Sequence, residues 1–213
     1  MSIKDKVAQA AELLAREGLC IGTSGNVSVR QDDLVAITAT GVVLAECTAA
    51  DVTVVDLDGS VVEGTLKPSA ELSLHLALYT HTDCGAVVHT HAPFSTAAAC
   101  ALTELPVLHY QNLTLGGAVR VADYATFGTQ ELANNVLRAL DGRHAALLAN
   151  HGAVAIGATL PKAADNALLL EWLAALYHRA LQFGQPRELT DEQIQDVITQ
   201  AIRLNYGSRQ VRR

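Results

Sequence analysis

His89-Thr90-His91 is the stretch of this chain whose residue types and spacing are best suited to chemistry. On a strand, residues two apart point to the same face, about 6.6 Å apart along the chain, so the two imidazoles can converge on one ion. Zn²⁺, with Zn–N near ~2.0–2.1 Å and an open fourth position, is the usual catalytic outcome of such ligands. A third ligand must come from elsewhere. His151 is the best candidate, because it follows the apolar run Ala145–Ala149 and precedes Gly152, at a strand end where sites tend to sit. The plain alternative is two imidazoles on one solvent-facing strand. The run Ala86-Val87-Val88 ahead of the pair points to a buried strand instead, and a metal relieves the cost of burying two unpaired imidazoles. H-x-H with a later histidine also occurs in all-β cupin barrels, but the strong helical patterns here speak against one.

A second set of residues suits an anion. Gly22-Thr23-Ser24-Gly25-Asn26 holds small residues, Gly25 among them, that let backbone N–H groups approach a phosphate closely. Thr40-Gly41 and Ser69 offer more of the same, with Ser69 at an expected helix start, where unpaired N–H groups and the dipole favour an anion. Each of these, taken alone, is equally an ordinary turn or cap. The pattern is neither a Walker A loop nor G-x-G-x-x-G. Glu71 falls in the first turn of that same expected helix, as a surface carboxylate meeting the dipole or as a base or labile metal ligand. His75, four residues on, shares its face and either orients the carboxylate or packs in the core.

These groups need elements to hold them. Apolar spacing predicts a helix from about Ser2 to Glu17, capped by Ser2 and stopped by Gly18. Strand-like runs follow at 26–29, 34–37 and 52–55, and Asp58-Gly59 turns the chain into Val61-Val62 as a hairpin. Further helices are expected at 69–79, 93–102, 129–140, 161–183 and 191–203, and further strands at 86–91, 145–149 and 153–156. A strand cluster flanked by helices gives an α/β or α+β class, in three layers. No linker or repeat divides residues 1–213, so a single domain is expected.

Of the 213 residues 50% are hydrophobic and 17% charged, which excludes disorder and leaves a core covering roughly 70% of the unfolded chain's surface. The net charge of −7 speaks against a nucleic-acid binder, which needs a basic face. The start is not a signal peptide, and no stretch approaches 18 uninterrupted apolar residues, so no membrane span is expected. Cys20, Cys47, Cys84 and Cys100 form no C-x-x-C pair and read as reduced thiols in a cytoplasmic protein.

Taken in order, the motifs resemble those of the class II aldolase/adducin family. They are residues 22–30 (GTSGNVSVR), 38–41 (TATG), 67–71 (KPSAE), 87–92 (VVHTHA), His109-Tyr110, Gly116-Gly117, 124–129 (YATFGT), Asn150-His151-Gly152 and Asn205-Tyr206-Gly207. The resemblance implies a three-layer α/β fold with a mixed, mainly antiparallel central sheet flanked by helices. It implies Zn²⁺, or Mn²⁺, held by His89, His91 and His151, with Glu71 completing the resting coordination and then acting as base. It implies phosphate on Thr23, Asn26, Thr40, Gly41 and Ser69, Tyr110 as proton donor across a subunit contact, Tyr206 over the site, and a C4 homotetramer. The implied reaction is cleavage of a ketose 1-phosphate, of the L-fuculose 1-phosphate type, to dihydroxyacetone phosphate and a short aldehyde through a zinc-stabilised enediolate. Decarboxylation of a keto-acid phosphate, dehydration and 4-epimerisation are the family's other reactions, and adducin-like scaffolds are its non-catalytic form. Two departures bear on substrate. Ala70 stands where a second serine is common, and Gln111–Leu115 is more polar than the alanine-rich run expected after the tyrosine.

Overall fold

The computed structural model describes residues 1–206; Gly207, the last residue of the Asn205-Tyr206-Gly207 motif, lies outside the described residues. The first helix, α1 (Ile3–Arg16), opens on a reciprocal cap in which the Ser2 hydroxyl accepts from the Asp5 amide and the Asp5 carboxylate accepts from the Ser2 amide. It ends where Gly18 takes a φ of 79° and the Leu19 amide donates back to the Leu14 carbonyl.

Strands β1 (Asn26–Gln31), β2 (Leu34–Thr38), β3 (Val52–Asp56) and β4 (Val61–Glu63) follow as antiparallel neighbours. The β3–β4 pair is the hairpin that Asp58-Gly59 announces. Next come α2 (Leu72–His81), β5 (Ala86–Thr90), α3 (Pro93–Ala101), β6 (Glu104–Leu105) and β7 (Val119–Ala122). Then follow α4 (Gln130–Leu140), β8 (Ala145–Leu148), β9 (Gly152–Gly157), α5 (Leu160–Phe183) and α6 (Asp191–Leu204). The sheet order is β4-β3-β2-β1-β5-β9-β8-β7-β6, and only β7 and β8 run parallel. It is the mixed, mainly antiparallel sheet that the motifs imply.

Each face of the sheet has its own apolar layer. Val35, Val55, Val87, Val154 and Ile156 pack with Leu74 and Leu78 of α2 and Leu132 and Val136 of α4. Their strand neighbours Ala36, Val54, Val88 and Ala155 pack on the other side with α1, α3 and α5. Both faces are therefore covered, which is why the central strands read as near-continuous apolar runs. No helix among the described residues is long and apolar enough to cross a membrane.

Three expectations are corrected. The helix expected from Ser69 begins at Leu72, because the Ala39–Pro68 bridge and the Ser69 amide's bond to the Thr38 carbonyl hold 68–69 against β2 as extended chain. The strand expected through His91 stops at Thr90, and the His91 amide donates to the Leu19 carbonyl instead. Residues 104–105 and 119–122 are strands beyond those expected, the first pair being too short to show a period.

Candidate metal centre

Four elements bring four side chains to one point. His89 lies near the end of β5, opposite Asn26 of β1 and Val154 of β9. His91 follows just beyond that strand. His151 sits in the turn from β8 to β9, after Asn150, whose φ of 54° is left-handed. Glu71 is the N-cap residue of α2, yet its side chain makes no capping bond and turns to the histidines instead.

The resulting geometry is tight. One ligand atom from each of Glu71, His89, His91 and His151 lies within 4.8 Å of the others. Glu71 Oε2 is 3.0 Å from His89 Nε2, and Oε1 is 3.5 Å from His151 Nε2. The His89 and His91 Nε2 atoms face each other at 3.0 Å, and the three ring centroids are 4.8, 4.9 and 5.0 Å apart. His89 Nδ1 donates to the Ala153 carbonyl at 2.9 Å, which leaves its Nε2 lone pair aimed at the cluster. Buried Glu71 Oε1 has no hydrogen-bond partner.

An orphaned carboxylate oxygen beside converging imidazole lone pairs fits a divalent cation. Three imidazole nitrogens and one carboxylate oxygen are a donor set that such a cation accepts. Two glycines make room for the arrangement. A Cβ on Gly152 would stand 2.3 Å from the Thr90 carbonyl oxygen, and one on Gly25 would stand 2.8 Å from that of His89.

Electrostatics agree with this reading. Burial pushes the Glu71 carboxyl up, but His89, the Asn26 hydrogen bond and His151 outweigh it and hold the group well below the carboxylate range. Burial, with His89 close by, lowers both His91, to about 4, and His151. Glu71 is thus a carboxylate and His91 and His151 are neutral imidazoles at neutral pH, as metal ligation requires.

The residues expected around a phosphate adjoin this centre. The Thr40 amide donates to the Lys67 carbonyl and the Leu44 amide to that of Gly22, so the segments around Thr23, Gly41 and Ser69 meet in one corner. Thr23, Thr40 and Gly41 are exposed, Gly25 is half-buried and Ser69 is buried. Asn26 is buried, and its side chain is engaged at both ends: Nδ2 donates to Glu71 Oε2 at 2.9 Å and Oδ1 meets His75 Nε2 at 2.5 Å. Spacing alone missed this role, although the alternating small polar residues of Asn26-Val27-Ser28 were its signal.

Tyr110 and Tyr206 meet each other on the surface. Their hydroxyls are 3.0 Å apart, both rings are exposed, and the contact raises the Tyr110 pKa. Neither has a hydrogen bond or ring contact to the four-residue cluster. Tyr110 opens the 3-10 turn Tyr110–Leu115, which contains the polar run after it.

The model of the class II aldolase and adducin N-terminal domain matches residues 5–178. A 5-methylthioribulose-1-phosphate/5-deoxyribulose-1-phosphate aldolase from Rhodospirillum rubrum is 40% identical over 200 residues, covering 93% of this chain and 90% of its own. A 3-oxo-tetronate 4-phosphate decarboxylase from Haemophilus influenzae is 36% identical over 204 residues, covering 91% of this chain and 95% of its own. The solved structure of an L-fuculose 1-phosphate aldolase superposes with a TM-score of 0.88 at 38% identity, over 93% of this chain and 95% of that one. The chain belongs to the class II aldolase/adducin family.

Proposed function

We propose that this protein is a zinc-dependent aldolase that cleaves a ketose 1-phosphate of the L-fuculose 1-phosphate type to dihydroxyacetone phosphate and a short aldehyde. The observation that carries the reading is the buried carboxylate of Glu71 closing a three-histidine cluster with one oxygen unpartnered. A scaffold domain has no need to hold such a group, whose burial is costly without a partner. His89, His91 and His151, with Glu71, are the residues that would hold the ion. A divalent cation there supplies Lewis-acid charge beside the substrate's carbonyl and hydroxyl oxygens.

The chain's own residues do the rest. Glu71 is ionised at neutral pH, so in the condensation direction it can accept the proton from the hydroxylated carbon of dihydroxyacetone phosphate. The Thr40 and Ser69 amides are already bonded, so the phosphate is met by the hydroxyls of Thr23, Thr40 and Ser69 and by the open backbone at Gly25 and Gly41. Tyr110 donates the proton to the aldehyde oxygen, with Tyr206 beside it. Neither touches the cluster of its own chain by a hydrogen bond or ring contact, which suits a site completed by a neighbouring copy in a C4 tetramer. The four free cysteines suit a reducing, cytoplasmic setting.

The test is release of dihydroxyacetone phosphate from L-fuculose 1-phosphate and 5-deoxyribulose 1-phosphate, with a keto-acid phosphate in the same panel. Chelation should abolish release and zinc or manganese restore it. Glu71→Gln should lower kcat at least about 10²-fold, the scale of a lost general base. Full activity after chelation, or in Glu71→Gln, contradicts the scheme, and turnover of the keto-acid phosphate alone reassigns the reaction.

A further inference from the structure

Behind Glu71 runs a row of buried polar groups that the reaction itself does not use. Helix α2 carries His75 and Tyr79 at four-residue steps from Glu71, a rise of about 6 Å each. Strand β1 carries Asn26 and Ser28 on one face, about 6.8 Å apart. The two steps nearly match, so the side chains interleave between helix and strand. Glu71 Oε2 meets Asn26 Nδ2 at 2.9 Å, and Asn26 Oδ1 meets His75 Nε2 at 2.5 Å. His75 Nδ1 meets Ser28 Oγ at 2.6 Å, and Ser28 Oγ meets the Tyr79 hydroxyl at 2.6 Å. His75 and Ser28 are fully buried, and Tyr79 is 2% exposed.

The carboxylate fixes the direction of every bond in the row. An ionised carboxylate only accepts, so Asn26 must offer it the NH₂ and turn Oδ1 to His75. Oδ1 only accepts, so His75 carries its proton on Nε2 and presents a lone pair at Nδ1. The Ser28 hydroxyl then donates to Nδ1, and the Tyr79 hydroxyl donates to Ser28. Every bond in the row then runs from a donor to an acceptor.

We propose that this ladder is a positioning device for Glu71: Ser28 sets the tautomer of His75, His75 sets the amide of Asn26, and Asn26 holds Oε2 so that Oε1 faces the ion. Its catalytic consequence rests on the aldolase reading above, whereas its consequence for metal binding does not. Without the Ser28 donor, His75 is free to move its proton to Nδ1. Asn26 then meets a lone pair at Nε2, turns its NH₂ towards it, and sets Oδ1 against the Glu71 carboxylate.

Three readouts test this on the zinc-loaded protein. In ¹⁵N-histidine spectra, with the His75 signals assigned by their loss in His75→Gln, Nε2 should be the protonated nitrogen and Nδ1 the bare one. Ser28→Ala, which deletes one oxygen, should weaken zinc binding in competition with a chromophoric chelator by about tenfold, the usual scale for groups that orient a ligand. The same variant should lower kcat about tenfold, the effect of one buried hydrogen bond, with KM within about twofold. Thr53→Val is the control, because it removes a buried hydroxyl bonded to the Leu66 carbonyl at 2.8 Å, two strands across the sheet from Ser28 and outside the row. It should lose stability and keep wild-type zinc affinity and kcat. A proton on Nδ1 of His75 in the wild type overturns the proposal, as does a Ser28→Ala protein with unchanged zinc affinity. Absence of turnover in the wild type would sink the aldolase reading alone, because the spectrum and the zinc titration decide the ladder without it.

Discussion

His75 shows how one buried side chain writes itself into the behaviour of the molecule. Burial lowers its pKa from 6.5 to about 3, so between those values the unfolded chain binds a proton that the folded chain refuses. Stability from this group is whole above pH 6.5 and is lost as pH falls towards 3, at about 1.4 kcal/mol per pH unit. His91 and His151 add to the slope in the same direction, so urea unfolding between pH 6.5 and pH 5 should show a steeper slope in the wild type than in His75→Gln, by about that amount. Gly152 has an equally local consequence. Ala at this position has its Cβ 2.3 Å from the Thr90 carbonyl, so β9 must shift from β5, at a cost of about 3 kcal/mol read as a lower melting temperature. The sequence announced His89 and His91 through their spacing and His151 through its place after an apolar strand. It did not announce that Asn26 spends its side chain on Glu71 and His75, because the alternation of Asn26-Val27-Ser28 marks a polar face but names no partner on a distant helix.

Helix α3 begins two residues after His91, and its start is capped from afar. The Glu171 carboxylate of α5 accepts from the Phe94 amide at 2.9 Å and the Ser95 amide at 2.8 Å. It thereby takes over the work of a local cap, for which Ala92 has no side-chain acceptor. Glu171→Ala should lower stability by about 1–2 kcal/mol in chemical denaturation, and circular dichroism should show a small loss of helix. Pro93 made the start of α3 readable in the sequence, while its cap, 77 residues on from Phe94, was not. The start of α2 was misplaced for a related reason. Small residues at 69–70 read as a helix start, yet Ser69 belongs to the loop tied to β2, and the first helical turn opens after Glu71. The long helices and the β1, β2 and β3 runs were legible because their apolar periods extend over enough residues to be distinct.

Across the whole molecule, the four clustered side chains bring together parts that are distant in sequence: the start of α2, the end of β5 and the β8–β9 turn. An ion bound there closes loops that the sheet alone does not close. Zinc at about a thousandfold excess over its dissociation constant contributes about 4 kcal/mol, so chelation should lower the melting temperature by about 10 °C, and zinc should restore it. The class was legible from the order of strands and helices and the mixed pairing from the family the motifs resemble, whereas the parallel β7–β8 contact was not, since β7 was not among the expected strands. The most direct test of the metal centre is the zinc content of purified protein after exhaustive dialysis, wild type beside His151→Ala. One tightly held zinc per chain in the wild type and far less in His151→Ala is the expected result. Equal retention in both proteins, or none in the wild type after reloading, would contradict a centre built from Glu71, His89, His91 and His151.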